Sequence, residues 1–579
     1  LRDMADLYEK VMDVAKRRGF LWPSFEIYGG SAGFYDYGPL GTGMKRRLES
    51  FWRRIYCIEE GFHEIETTLI GIESVFDASG HLKCFTDPIV VCKKCGEAFR
   101  ADHLLDGVRD ISIPEIDKLV KSSGVVCPAC GGELGDVEEY NLMFSTHIGP
   151  GSKRRGYLRP ETAQGIFTNF ERLLRFYGGK LPFGIVQIGK AFRNEISPRQ
   201  GVIRLREFTQ AELELFVHPN DKKHPNFDRF SSKRIPLLPA PNQIKGEDAV
   251  EMKLKDAVEN GIIAHEVLGY HIALCWDFLI RAGLDPKKLR FRQHLPEEMA
   301  HYAADCWDAE ALTERFGWIE LVGIADRTDY DIKAHALKSG KELKVFCEYK
   351  KPKKKTIVDV RVDMGKLGPL FKEESSKVAD AIKKLPKEEL EKDKIKVEVD
   401  GKTFEVDGGV VEVVQREIEV KGEKVTPHVV EPSFGIDRIM YTLLEHSYYE
   451  DFVEGEIRKV LKLRPKLAPI PIAVLPLMSK PELIDPAKKI VHEIRKSGFM
   501  CEYDERGFIG KRYRRFDEIG TPYCITTDYQ TLEDDTVTIR DRDTMRQVRV
   551  PMKEINKVVH NLILETWNFE KMRERYINI

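Results

Sequence analysis

The sequence contains no run approaching the ~20 consecutive apolar residues that a membrane-spanning helix requires. Its most apolar stretch, Pro469 to Met478, is short and interrupted by prolines, the pattern of a buried strand. The 579-residue chain has almost no excess of either charge, with a formal net charge of −2, so any nucleic-acid surface must be a local basic patch. It has no Gly-rich P-loop, which excludes the usual backbone cradle for a nucleotide phosphate. Internal repeats and low-complexity tracts are missing. His63, His81, His103, His147, His301 and His335 show no i, i+4 ligand spacing and read as ordinary polar residues. Leu1 through Arg18 has a charged helical pattern and not that of a signal peptide, and the lack of an initiator Met points to a trimmed or partial start. Of eleven cysteines, four fall in two C-x-x-C pairs, which fits a reducing, cytoplasmic setting with a metal better than a disulfide framework.

The most informative residues present are Phe192-Arg193-Asn194-Glu195 and Arg204-Leu205-Arg206-Glu207-Phe208. Arg193 and Glu195, two apart on an expected strand, project to one face. A basic loop follows, and a second strand returns with Phe208. The set suits a nucleotide: guanidinium for a phosphate, carboxylate for an exocyclic amine, aromatic ring for the base. Arg438, in Gly435-Ile436-Asp437-Arg438, supplies a second arginine at the start of a late helix.

Carboxylates accompany these arginines. Glu161 lies in Arg159-Pro160-Glu161-Thr162-Ala163-Gln164-Gly165, Glu212 and Glu214 share one strand face, and Glu431 and Ser433 precede Gly435. One chemistry needs both charges: an amino acid gives its ammonium to carboxylates while its own carboxylate attacks the α-phosphorus of ATP. The nucleophile is already ionised, so catalysis rests on positioning and on charge stabilisation by Arg and Mg²⁺.

Cys92-Lys93-Lys94-Cys95-Gly96 and Cys127-Pro128-Ala129-Cys130-Gly131 have the form of two knuckles. Cys92, Cys95, Cys127 and Cys130 would bind Zn²⁺ tetrahedrally, and a closed four-thiolate site is structural rather than catalytic. Lys511, Arg512, Arg514 and Arg515 interleave with Tyr513 and Phe516; charge alone favours a solvated helix start, and phosphate contact with base stacking is the functional alternative. Thr536 to Asp543 reads as an exposed-edge strand ending in Arg540 and Arg542.

These motifs resemble class II aminoacyl-tRNA synthetases, most closely the glycyl-tRNA synthetase family of the archaeal and eukaryotic dimeric type. Phe192 to Arg199, continuing to Phe208 and Glu212, is similar to class motif 2, and Glu431 to Ile439 to motif 3. Met44 to Phe76 resembles motif 1, but ends Leu69-Ile70-Gly71-Ile72-Glu73-Ser74 without the usual proline, and Lys83 and Cys84 stand where the family more often has Asp and Lys. The resemblance implies an α+β fold: an antiparallel sheet flanked by helices, with a zinc-bearing insertion, other insertions and a C-terminal α/β anticodon-binding domain. The implied division is core 1–83, zinc-knuckle insertion 84–140, core 141–219, a largely helical insertion 220–300, core 301–340, an accessory insertion 341–424, core and linker 425–465, and anticodon-binding domain 466–579.

The resemblance also implies roles. Arg193, Asn194, Glu195, Arg204, Leu205, Phe208, Glu320, Leu321, Gly435 and Arg438 would hold ATP, with Glu320 acting through Mg²⁺ and Arg193, Glu320 and Arg438 catalytic. Arg100, Glu161, Phe208, Glu212, Glu431 and Ser433 would surround glycine. Lys511, Arg512, Arg514, Arg540 and Arg542 would meet tRNA(Gly). The implied protein is a homodimer with no membrane partner, forming glycyl-adenylate and transferring glycine to the tRNA 3′ end. The same adenylate is chemically able to serve a side activity making dinucleoside polyphosphates. The competing readings are a synthetase for another amino acid, such as proline or threonine, and a non-catalytic RNA-binding paralogue.

Overall fold

The structure is a computed structural model that describes residues 6–105, 111–151, 153–198, 201–299, 303–390, 392–453 and 455–579. Arg199 and His301 lie outside the described residues. The chain divides into two compact units, Lys344–Val425 and the remainder.

The larger unit is built, among the described residues, on a nine-stranded sheet. Its order is Val250–Lys253, Arg234–Leu238, Leu289–Gln293, Asp305–Thr313, Gly317–Thr328, His428–Gly435, Glu207–Val217, Phe183–Phe192 and His63–Glu64. From Leu289–Gln293 to Phe183–Phe192 every pairing is antiparallel, and parallel contacts appear only toward the two ends. Period-two alternation gives the sheet its two faces. In Glu207–Val217, Ala211, Leu213, Leu215 and Val217 join the main apolar core, while Phe208, Gln210, Glu212 and Glu214 turn to the other face.

Two helices contribute to that core. Pro39–Arg53 begins with proline in its first turn, where no backbone N–H is needed, and buries Met44, Leu48, Phe51 and Trp52 at helical spacing. It runs on into a π-helical turn, Arg54–Glu59, where Tyr56 stacks on Trp52 at 4.5 Å. Each fully buried side chain of this kind stabilises the fold by about 1.5–3 kcal/mol. Glu266–Ala282 starts where His265 accepts the Leu268 N–H and stops at Gly283, whose φ of 112° a side chain would disfavour. Segment 220–300 is therefore not a largely helical insertion. Its strands Arg234–Leu238, Val250–Lys253 and Leu289–Gln293 extend the central sheet, and its long helix packs against it. The Pro-rich start hid short strands: Arg234–Leu238 pairs with nearby Val250–Lys253 and joins the rest of the sheet only through Leu289–Gln293.

Residues 86–141 form a three-stranded sheet of Thr86–Cys92, Ala98–Arg100 and Leu134–Asn141, packed with helix Ile113–Ser122 around Val90, Phe99, Ile116 and Val137. A six-stranded sheet lies near the C-terminus. Cys501–Tyr503, Ile472–Pro476 and Tyr523–Thr527 are parallel, and Thr536–Asp541, Gln547–Pro551 and Ile577–Asn578 continue it antiparallel. Glu518 ties this region to the N-terminal helix by accepting hydrogen bonds from Arg17 Nη2 at 2.8 Å and Arg18 Nε at 2.6 Å.

The smaller unit pairs Val345–Val362 with Val411–Val425 and adds a hairpin, Lys394–Val399 with Lys402–Asp407. Asp400 and Gly401 turn that hairpin with φ of 50° and 77°, the positive values a two-residue type I′ turn requires. Leu367, Val378, Ile382, Ile395, Val397 and Val406 form its own core.

Candidate active site

The polar face of the central sheet carries a cavity of about 250 Å³. The expected residues Glu161, Arg193, Glu195, Arg204, Leu205, Phe208, Glu212, Glu320, Leu321, Glu431, Ser433, Gly435 and Arg438 all line it. Sheet register explains the convergence: Glu212 lies opposite Ser433, Ser433 opposite Gly323, and Gly323 opposite Asp308. Glu320 reaches this face through an irregularity. Ala309 pairs with Val322 but Glu310 pairs with Glu320, so Leu321 is an extra residue, and the bulge reverses the alternation beyond it.

Arg193 and Glu195 do not sit on a strand. The strand ends at Phe192, and Arg193 N–H donates to Arg206 O at 2.9 Å across the loop mouth. The Arg193 guanidinium stands 5.3 Å from the Phe208 ring and 5.4 Å from Phe85, and its Nε donates to Pro160 O at 3.3 Å. Arg204 pairs with Glu195 at 2.8 Å. Across the cavity, Arg438 Nη1 meets Glu320 Oε2 at 3.0 Å and Arg438 Nε donates to Ile203 O at 3.0 Å.

Two expected residues stay off the cavity lining. Asn194 Nδ2 donates to Tyr140 Oη at 2.5 Å. Arg100 is held by Asp87 and Asp102, with Nη1 3.0 Å from Asp87 and Nη2 2.7 Å from Asp102.

The acidic end is organised by a residue that the sequence reading missed. Arg327, with 3 % of its side chain exposed, donates from Nε to Asp331 Oδ2 at 2.9 Å and from Nη1 to Glu431 Oε2 at 2.8 Å, and lies 3.7 Å from Glu161 Oε1. Its signal was a lone arginine among Asp326, Asp329 and Asp331. Glu161 also accepts from Gln164 Nε2 at 2.8 Å and faces His81 Nε2 at 3.7 Å, so His81, read from sequence as an ordinary polar residue, stands beside this carboxylate. Burial pushes the Glu161 carboxyl up, but Arg327 and then His81 outweigh it and hold it below the usual range. Glu212 accepts from Thr162 N–H at 2.9 Å and Ser433 Oγ at 2.6 Å, and burial followed by the charge of Glu161 raises it.

A second missed group lies beside Glu320. His294 pairs with Asp308 at 2.9 Å, and burial, followed by the charge of Glu320, raises Asp308 to about 6. A Cβ on Gly323 would stand 3.6 Å from Glu320 Oε1 and 3.8 Å from Asp308 Oδ1, so the two carboxylates flank one glycine.

The sulfur atoms of Cys92, Cys95, Cys127 and Cys130 lie within 4.8 Å of one another. Cys92 Sγ is 3.6 Å from Cys130 Sγ, and Cys95 Sγ is 3.6 Å from Cys127 Sγ. Tetrahedral Zn–S bonds of about 2.3 Å require sulfur separations of about 3.8 Å. Backbone N–H groups facing it, with smaller contributions from the neighbouring thiols, lower the Cys92 thiol to about 6.

Three of the expected tRNA contacts are buried structural groups. Arg512 donates to Gly507 O from Nε at 3.0 Å. Arg540 grips Asp517 with both nitrogens at 2.8 and 3.0 Å, and Arg542 Nη1 donates to Leu463 O at 3.0 Å and Gly520 O at 2.8 Å. The strand Thr536–Asp541 is not an exposed edge, because it runs between Tyr523–Thr527 and Gln547–Pro551. Lys511 is exposed and Arg514 half-buried.

Comparison with known proteins agrees with this geometry. Residues 147–231 match the tRNA synthetase class II core domain (G, H, P, S and T), and residues 471–562 match an anticodon binding domain. The chain is 55 % identical to a glycine--tRNA ligase of Methanothrix thermoacetophila, over 96 % of this chain and 97 % of that one. The chain belongs to the glycine--tRNA ligase family. A glycine--tRNA ligase of Methanocaldococcus jannaschii is 52 % identical over 95 % of this chain and 98 % of its own length. The family's class II fold is also seen in a Giardia lamblia prolyl-tRNA synthetase in complex with prolyl-adenylate, with a TM-score of 0.52 and 13 % identity, covering 95 % of this chain and 74 % of that one.

Proposed function

We propose that this cavity activates glycine with ATP and passes the glycyl group to tRNA(Gly). The observation that carries the reading is one cavity with arginines at one end and Arg327-bound carboxylates at the other. Glu161, Glu212, Glu431 and Ser433 take the glycine ammonium. The glycine carboxylate, already ionised, attacks the α-phosphorus; the bond to the β-phosphate oxygen breaks and pyrophosphate leaves. Arg193 neutralises charge on the α-phosphate, Phe208 stacks on adenine, Glu195 and Arg204 hold the nucleotide edge and phosphates, and Arg438 takes the distal phosphate. A hydroxyl of the tRNA terminal ribose then attacks the glycyl carbonyl and AMP leaves. A crowded acidic pocket excludes larger side chains sterically, which is easier than rejecting a smaller one.

Glu320 and Asp308, two carboxylates flanking Gly323, fit a Mg²⁺ ion, which would add positive charge at the phosphates. The four converging cysteines fit a structural Zn²⁺ that closes the 86–141 module. Lys511 and Arg514 remain the tRNA contacts of the C-terminal region. Leu69, Ile70 and Ile72, exposed at 42, 48 and 37 %, support pairing of two copies through this part of the motif 1 segment. No helix among the described residues is long and apolar enough to cross a membrane. Incubation with ATP, isotopically labelled glycine and tRNA(Gly) transcript tests the whole reading: label should appear on tRNA only with ATP present, and a transcript left uncharged by folded, metal-loaded protein would overturn it.

A further inference from the structure

Glu214 has no role in the chemistry above, yet it is fully buried and its two carboxyl oxygens have no hydrogen-bond donor among the described residues. The pairing of Gln210 with Gly435 and of Leu215 with Val430 sets Glu214 directly opposite Glu431 in the neighbouring strand. Oxygens of Glu212, Glu214 and Glu431 come within 4.8 Å of one another. Two ionised carboxylates opposite each other on a buried sheet face repel strongly. Arg327 answers Glu431, at 2.8 Å, and is shared with Asp331 and Glu161. Burial lifts the Glu431 carboxyl to about 7 even against Arg327, but the guanidinium contact still makes Glu431 the more readily ionised member of the pair and Glu214 the member that carries a proton.

We propose that Glu214 is a neutral carboxylic acid that donates a hydrogen bond to Glu431, and that it is a positioning residue for the amino-acid pocket. The inference rests on the reading of Glu161, Glu212 and Glu431 as the ammonium site. The donated bond fixes the Glu431 carboxylate on its floor while Arg327 holds it from the side. It also lowers the pocket's negative charge without spending a second buried cation. Burial, followed by the charge of Glu431, pushes the Glu214 carboxyl far above the usual range, in the same sense as the geometry.

Two substitutions and one spectrum test this. Glu214→Gln keeps a donor of nearly the same shape and should leave the glycine KM within about threefold of wild type. Glu214→Leu removes the donor and should raise the glycine KM by about ten- to a hundredfold, the range for a hydrogen bond to a charged group, with the ATP KM unchanged. An ionised Glu214 serving as a counter-charge to glycine would make Gln as damaging as Leu and would overturn the proposal. A purely structural Glu214 would lower the melting temperature of the Leu variant and leave its glycine KM alone, which also overturns it. The infrared difference spectrum of wild type minus Glu214→Gln at pH 7 needs no activity and stands apart from the glycine reading. Loss of a protonated-carboxyl C=O band is expected, and loss of a carboxylate band refutes the neutral acid. Absence of glycine-dependent turnover in the wild type itself would instead refute the pocket reading.

Discussion

Replacing Arg327 by Gln should unmask the repulsion this guanidinium suppresses. Arg327 is 97 % buried by side chain and stands within 3.7 Å of Asp331, Glu431 and Glu161. Removing one partner from a buried, hydrogen-bonded charge cluster costs about 3–5 kcal/mol, because the remaining charges keep their desolvation without compensation. Gln restores part of the hydrogen bonding, so the lower end, about 3 kcal/mol, applies. With an unfolding entropy of about 2.1 cal/mol/K per residue over the roughly 500 residues of the larger unit, this lowers the melting temperature by about 3 °C. The loss has a pH signature. Glu161 has a depressed pKa in the native state, so its stabilising contribution is present above the ordinary carboxylate pKa of about 4.3 and is lost as pH falls below it. The variant lacks the cation that depresses it. Its deficit is therefore full at pH 7 and narrows only as pH falls from about 4.3 toward the depressed native-state pKa, so pH 3 is the second point of comparison. Scanning calorimetry or circular dichroism at both pH values checks this. A shift smaller than about 1 °C, or an equal deficit at both pH values, would refute the account of Arg327.

Arg193→Ala should abolish glycine-dependent adenylate formation, read by pyrophosphate exchange, while the melting temperature stays near wild type. Cys92→Ser together with Cys95→Ser should lower bound metal by about one equivalent per chain in elemental analysis and loosen the 86–141 module to proteolysis. Arg542→Ala should destabilise the C-terminal region, because it strips hydrogen bonds from Leu463 and Gly520 carbonyls, whereas Lys511→Ala should raise the KM for tRNA and leave both stability and exchange unchanged. Asp308, raised to about 6, is partly protonated at pH 6 and should release a proton when Mg²⁺ and ATP bind; calorimetry in buffers of different ionisation enthalpy should show less release in Asp308→Asn.

Much of the cavity lining was legible because its residues sit in short, dense segments. Phe208, Glu212, Ser433 and Arg438 follow from strand alternation and one helix start. Glu320 was legible only by resemblance, since its inward aim depends on a bulge at Leu321 that no local pattern announces. Arg327 was missed because what singles it out is burial beside three carboxylates brought from three segments. Arg512, Arg540 and Arg542 misled in the opposite direction. Arginines interleaved with aromatics look like an RNA surface, but here their guanidinium groups satisfy buried carbonyls and Asp517. The strands in 220–300 were unreadable because each has only four or five residues, too few for period-two alternation to declare them.

The most direct test is ATP–pyrophosphate exchange measured with each of the twenty amino acids in turn. The account predicts exchange with glycine alone, because the acidic pocket holds an ammonium and leaves no room for a side chain. Exchange driven by a different amino acid would contradict the pocket while keeping the adenylation chemistry, and no exchange from folded, metal-loaded protein would contradict the chemistry itself.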